Sequence, residues 1–347
     1  MSNTSRSWSQ VLAIVLVASA MIGSAIVARA DTATPGQGKV IRFSRSNALG
    51  ASYIEDEIVI AALEKLSYKV QMTVLVAPAF YAAASQGDMD LTTSINWPQN
   101  QVPYEKVKDK LALIGDGAII GGGINGYLID KKTADAHGIT NIQQLKDPQL
   151  AELFDPNHSG KAELINCDPG WSCGDVVDYQ MKTFGLDQTV RTVRGKYELL
   201  MADTFARAAR GEPVLIYTWS PSWVVDTLQP GRDVVWEPTP FEALPTGVAS
   251  PGSALVKDVV GCAGGQNPCR MVIGAWNYVS VGNRAFLAEN PAVTKFLEQV
   301  RFPLSTWTEW EGEIKKSHTD PDIKQDAMAW IAAHQQEFDQ WVSNATK

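Results

Sequence analysis

Three tryptophans of this chain stand where a core does not need them. Trp97 follows the run Leu91–Ile95 and Asn96, and precedes Pro98. Trp171 lies inside Cys167-Asp168-Pro169-Gly170-Trp171-Ser172-Cys173. Trp219 ends the apolar run Pro213–Tyr217 plus Thr218, ahead of Ser220-Pro221-Ser222-Trp223. Each is in a loop and each is pinned by Pro or by a close Cys pair. Rigid indole faces around one cavity make a cage for a trimethylammonium group. Such a group has no N–H to donate, and its charge is spread over methyls that also want apolar contact. An indole face supplies both attractions, at about 0.5–2 kcal/mol per ring when desolvated. Three rings give on the order of 2–6 kcal/mol, whereas micromolar capture needs about 8 kcal/mol. A second contact is therefore required. The loop from Gly170 to Gly174 offers consecutive backbone N–H groups, a nest able to hold a carboxylate without a full positive charge. The same three rings can also stack on sugars, and spacing alone does not separate the two readings.

The elements that must position these loops are legible around them. Residues 39–44 read as a strand, and 53–66 carry apolar residues at helical spacing (Ile54, Ile58, Ala61, Ala62, Leu66). Ser52 is placed to cap that helix, with Glu55 completing a capping box. Residues 68–76 alternate as a second strand, 79–86 read as a helix, and 91–95 as a third strand. This β-α-β-α-β order argues a parallel α/β sheet. The pattern then recurs. Strands are expected at 124–130, 213–217 and 233–236, and helices at 141–154 (interrupted by Pro148), 174–184 and 197–210. Helices over 284–300 and 322–343 close the chain. In open α/β sheets ligands bind beyond the carboxyl ends of strands, which is where Trp97 and Trp219 fall. Most of the 11 Trp are core residues on this view; Trp330 sits on a helix with a packing face.

The first thirty residues have the layout of an export signal. Arg6 is the only charge in residues 1–10, residues 11–28 are uncharged, and Ala28-Arg29-Ala30 forms a small-residue cleavage pattern. Cleavage is expected after Ala30; an uncleaved membrane anchor is the competing reading. Absence of a lipobox Cys near the cut favours a free periplasmic protein. In an oxidising compartment the four Cys, in two close pairs, read as disulfides Cys167–Cys173 and Cys262–Cys269. Zinc is the alternative, but neither pair has metal-finger spacing and the four His lie far off in sequence. The net charge of −8 gives no footprint for nucleic acid or anionic lipid. The chain contains no Gly-x-Ser-x-Gly elbow, His-Glu-x-x-His helix or Walker loop, so the reading is a binding protein rather than an enzyme, with no cofactor and no metal.

Several segments resemble the ProX-type glycine betaine/proline betaine-binding proteins of ProU-type ABC importers. They are Ser94–Trp97, Gly126–Asp135, Ile139–Pro148, Cys167–Cys173, Met201–Thr204, Tyr217–Trp223, Pro230–Trp236 and Ile331–Trp341, in order across nearly the whole chain after residue 30. The resemblance implies an α/β, two-lobed type II periplasmic-binding-protein fold with the ligand cleft between lobes. The lobes are expected as 31–125, 126–240 and a return over 241–347. It also implies that the aromatic box maps onto Trp97, Trp171 and Trp219, and that the backbone N–H groups of Ser172 and Cys173 hold the ligand carboxylate. The family places a His shortly after the first box Trp. Here the stretch reads Pro98-Gln99-Asn100-Gln101, so Asn100 or Gln101 is the candidate donor, without charge. The second Cys pair lies outside the pattern. Expected partners are glycine betaine or proline betaine and the membrane permease of an ABC importer, with the protein a monomer. Choline, carnitine or a sulfonium analogue on the same fold is the alternative ligand set. A secreted carbohydrate-binding protein or hydrolase is the distant alternative.

Overall fold

The computed structural model describes residues 34–316 and 319–347; the expected signal segment 1–30 and its cut after Ala30 lie outside the described residues. Fourteen strands are described. In chain order they are β1 (Val40–Ser46), β2 (Lys69–Leu75), β3 (Leu91–Trp97), β4 (Leu111–Ile114), β5 (Ile119–Ile120), β6 (Ile124–Asp130) and β7 (Ala162–Ile165). The remainder are β8 (Val190–Val193), β9 (Leu215–Ser220), β10 (Val234–Glu237), β11 (Leu255–Val256), β12 (Cys269–Arg270), β13 (Asn277–Asn283) and β14 (Phe302–Pro303). They make two five-stranded sheets, ordered β2-β1-β3-β13-β4 and β10-β6-β9-β7-β8, and two small ribbons, β11-β12 and β5-β14. The expected opening is present: β1 pairs parallel with β2 and with β3. The late strand β13 then inserts antiparallel between β3 and β4.

The chain passes between the sheets twice, and the two passages are tied together. Gly123 N–H donates to Trp276 O (2.8 Å), and Trp276 N–H returns to Gly123 O (3.0 Å). Trp276 is 1% exposed and its indole N–H donates to Ile124 O at 3.0 Å. A Cβ on Gly123 would meet Ser220 O at 2.5 Å and the Trp276 ring at 2.6 Å, so only glycine lets the strands cross this closely. Residues 255–273 stay with the second sheet. Trp236 bridges Cys262, Thr239 N–H donates to Arg270 O, and Met271, Val272 and Ile273 enter its cores.

The helix expected at 53–66 is Ser52–Lys65, and its N-terminus differs from the expected capping box. Ala51 is the N-cap and contributes no side-chain bond. The carboxylate comes instead from a remote helix: Glu311 Oε1 accepts from Ala51 N–H at 2.9 Å. Glu55 faces the core, fully buried, and burial pushes its carboxyl well above the usual range. The closing helices also break where residues stop the ladder. Asn290-Pro291 divides the first into Arg284–Glu289 and Pro291–Leu297, and His334 divides the second into Asp320–Ala333 and Gln335–Ala345. Both disulfides, Cys167–Cys173 and Cys262–Cys269, are formed.

Candidate functional site

The carboxyl ends of β1, β3, β7 and β9 point at one another across the space between the two sheets. β6 and β13 run antiparallel to their neighbours, so their amino ends arrive at the same place. The residues at these ends enclose a cavity with about 610 Å³ of empty space, part of it open to solvent. From the first sheet come Ser46, Asn47 and Ala48 after β1, Ala77 after β2, Ser94, Asn96, Gln99 and Asn100 at the end of β3, and Tyr278 on β13. From the second come Asn125 on β6, Trp171, Ser172 and Cys173 after β7, and Tyr217 and Trp219 on β9. No Asp, Glu, Lys, Arg or His is among these lining residues. The cavity is therefore aromatic and amide-lined, with no side-chain ion.

Trp171 and Trp219 meet edge to face, ring centroids 6.0 Å apart. Trp219 is backed by a stacked Tyr197 at 5.3 Å, and Tyr197 also lies 5.5 Å from Trp171. Tyr197 is 1% exposed, with its hydroxyl donating to Tyr217 O at 3.0 Å. Two indole faces are thus held by a ring that has no freedom of its own. The helix Ser172–Thr183 begins at this point, with Trp171 as N-cap. Gly174 N–H turns back to Trp171 O at 3.1 Å. The N–H groups of Ser172 and Cys173 are first-turn donors with no acceptor inside the helix, at the positive end of its dipole. The disulfide to Cys167 fixes where they point.

Several hydrogen bonds cross from one sheet's loops to the other's. Trp171 Nε1 donates to Asn47 Oδ1 at 2.8 Å, Ser172 Oγ donates to Asn100 Oδ1 at 2.9 Å, and Gln99 Nε2 donates to Tyr217 Oη at 2.9 Å. Behind the cavity Glu311 joins both sides, since its Oε2 accepts from Trp223 N–H at 2.9 Å while Oε1 holds Ala51. Burial pushes Glu311 up to about 8, and the two N–H bonds hold it back. Burial also pushes the phenols of Tyr217 and Tyr278 upward, so both rings are neutral at physiological pH. Ser94 Oγ, Asn96 Oδ1 and Asn125 Oδ1 are buried without a hydrogen-bond partner, a cost that a bound polar molecule can offset.

Of the residues singled out in the sequence, Trp171, Trp219, Ser172, Cys173 and Asn100 come together here. Trp97 does not line the cavity. It packs in a satellite core beside Ile95 and Val279, edge to face with Tyr104 at 5.6 Å. Gln101 is also turned away, its Oε1 accepting from Ala249 N–H at 3.0 Å. The amide that reaches the cavity is Asn100. Sequence reasoning missed Asn47, which the strand-end rule applied to β1 would have found. It also missed Asn125, Tyr217 and Tyr278, which bear no loop signal because all three sit within strands.

A family model described as the substrate binding domain of ABC-type glycine betaine transport systems matches residues 39–333. The glycine betaine/proline betaine-binding periplasmic protein of Escherichia coli is 37% identical over 314 residues, covering 90% of this chain and 91% of that protein. Its Salmonella typhimurium counterpart is 35% identical over the same coverage. Among solved structures, lactococcal OpuAC in its closed conformation with glycine betaine superposes with a TM-score of 0.64 at 15% identity, covering 87% of this chain and 99% of that one. An ABC-transporter choline-binding protein with choline superposes with a TM-score of 0.67 at 16% identity, covering 88% and 95%.

Proposed function

Because the chain belongs to the family of substrate-binding domains of ABC-type glycine betaine transport systems, we propose that it captures glycine betaine, or the related proline betaine, and hands it to the permease of an ABC importer. The observation that carries this reading is the uncharged cavity where Trp171 and Trp219 converge with the free helix N-terminus at Ser172 and Cys173. The rings take the trimethylammonium end by cation–π and apolar contact. The N–H pair, with Asn100 beside it, takes the carboxylate. A zwitterion brings its own neutralising charge, so a site without ions suits it. The periplasm is the compartment that fits, and two disulfides are at home there.

The lobes of this reading are 34–123 with 276–347, and 124–275. The return is moved from 241 to the Trp276 crossing because residues 255–273 pack on the second sheet. Ligand binding closes the lobes, and the bonds Trp171–Asn47, Ser172–Asn100 and Gln99–Tyr217 form across the cleft as it shuts.

A second reading keeps the cage and changes the other end. The partnerless amide oxygens of Asn96 and Asn125 want a donor; choline brings a hydroxyl, whereas betaine brings none. Titration of intrinsic Trp fluorescence with glycine betaine, choline and a neutral sugar separates the readings. Saturation by micromolar betaine with a weaker choline response supports the first. Choline without betaine supports the second, and a response to the sugar alone discards the cage.

A further inference from the structure

We propose that Glu311, outside the cavity lining, is a positioning residue for capture: its carboxylate latches one lobe to the other and so sets how slowly any ligand is released. The inference rests on the lobe closure proposed above. Glu311 lies in the helix Leu304–Lys316 of the first lobe and is 5% exposed. Its two oxygens are divided between the lobes. Oε1 accepts from Ala51 N–H, at the start of the helix Ser52–Lys65, and Oε2 accepts from Trp223 N–H, at the start of the short helix Trp223–Thr227, each at 2.9 Å. Helix starts leave such N–H groups without an acceptor of their own, and a carboxylate is favoured at the positive end of the dipole. One side chain therefore serves two helix starts that belong to opposite lobes.

The seat for this carboxylate is built on the first lobe, where a Cβ on Gly50 would meet Oε1 at 3.1 Å. Trp223 then brings it a backbone N–H from the second lobe, and the Trp223 indole N–H donates to Leu49 O at 3.3 Å. The Trp223 ring is backed within its own lobe by Phe205 at 5.7 Å. Both segments joined at Glu311 lead straight into the cavity: Ser46, Asn47 and Ala48 line it just ahead of Ala51, and Tyr217 and Trp219 just ahead of Trp223. Closure on a ligand thus seats the latch, and the latch favours the closed form whatever the ligand is. A second bond on the same seam, Lys315 Nζ to Asp226 Oδ2 at 2.8 Å, joins side chains that are 42% and 39% exposed. Water screens that pair, so it contributes little, whereas the buried bond to an ionised acceptor is of the stronger kind.

The test is stopped-flow Trp fluorescence of the purified protein with glycine betaine, proline betaine and choline. Glu311→Gln offers one acceptor oxygen and turns an NH2 group toward the other N–H, so it cannot hold both helix starts. The expected result is a dissociation rate raised roughly ten-fold, by the same factor for whichever of the three the wild type binds, with the association rate nearly unchanged. A dissociation rate is insensitive to a partly unfolded fraction, so loss of the Ala51 bond does not imitate the effect. Lys315→Ala should move that rate by less than about two-fold. Trp223→Pro removes the N–H and leaves Glu311 in place, since proline is accepted at a first helical position; it should release ligand faster than Trp223→Leu, which keeps the N–H and loses only the ring. Wild-type release from Glu311→Gln, a factor that differs between ligands, a Lys315→Ala effect as large, or equal rates in the two Trp223 variants overturns the inference and leaves the binding function standing. A wild-type protein that binds none of the three overturns the functional reading itself.

Discussion

Removal of the Trp171 ring should weaken glycine betaine binding far more than it weakens the fold. On the function proposed above, Trp171 serves the ligand in two ways. Its face is one wall of the cage, worth up to about 2 kcal/mol when desolvated. Its Nε1–H donates to Asn47 Oδ1 at 2.8 Å, a neutral hydrogen bond of about 0.5–1.5 kcal/mol that, on the closure proposed above, forms with the ligand. Trp171→Ala removes both, about 2–3 kcal/mol, or roughly 30- to 150-fold in Kd. Trp171→Phe keeps a ring and loses only the bond to Asn47, so it should cost roughly 2- to 10-fold. Calorimetric titration at fixed salt reads both values. Trp330→Ala is the control for a Trp of the core: it lies against Phe302 and Trp310, outside the cavity lining. That substitution should lower Tm and leave betaine affinity nearly unchanged. A Trp171→Ala protein that folds and binds within about five-fold of wild type would refute the cage assignment, since no other role given to this residue survives loss of its ring.

The two disulfides should separate cleanly. Each closes a loop short enough that its removal costs about 2 kcal/mol of stability by loop entropy. Replacing Cys167 and Cys173 by Ser should also weaken betaine, because their loop aims the N–H groups proposed to hold its carboxylate; replacing Cys262 and Cys269 should lower Tm alone. Asn100→Asp puts an anion beside the Ser172 hydroxyl and the helix N-terminus. It should cost roughly ten-fold or more for betaine and leave choline binding unharmed, and titration with both ligands reads the contrast. The carboxyl of Glu237 is 3% exposed, has no hydrogen-bond partner for either oxygen, and is pushed by burial up to about 8. Its folded pKa is raised, so the stability tied to its protonated form is full below the unfolded value of 4.5 and is lost as pH rises through about 8. Wild type should therefore melt progressively lower as pH rises from about 4.5 to about 8, and Glu237→Gln should shrink that drop. Equal drops in the two proteins would show that the carboxyl reaches water when it ionises.

The sequence by itself determined the class of fold, the disulfide pairing and two of the indoles that meet at the cavity, Trp171 and Trp219. The alternation of strand and helix signals was strong through residue 97, and tryptophans at strand ends beside a Pro, or between a Cys pair, are local features that need no partner to be recognised. Trp171, Ser172 and Cys173 were legible because a seven-residue loop places all three. The tertiary structure decided what depends on which strands become neighbours. β13 arrives from residue 277 to lie beside β3, and that pairing, invisible in either segment, puts Tyr278 in the cavity and Trp97 on the opposite face. The capping carboxylate of the first helix comes from Glu311, 260 residues away, where local spacing had pointed to Glu55. The second crossing lies at Trp276 because a close approach to Gly123 needs a glycine on one strand and a buried indole on the other, a fit between two segments that neither announces alone.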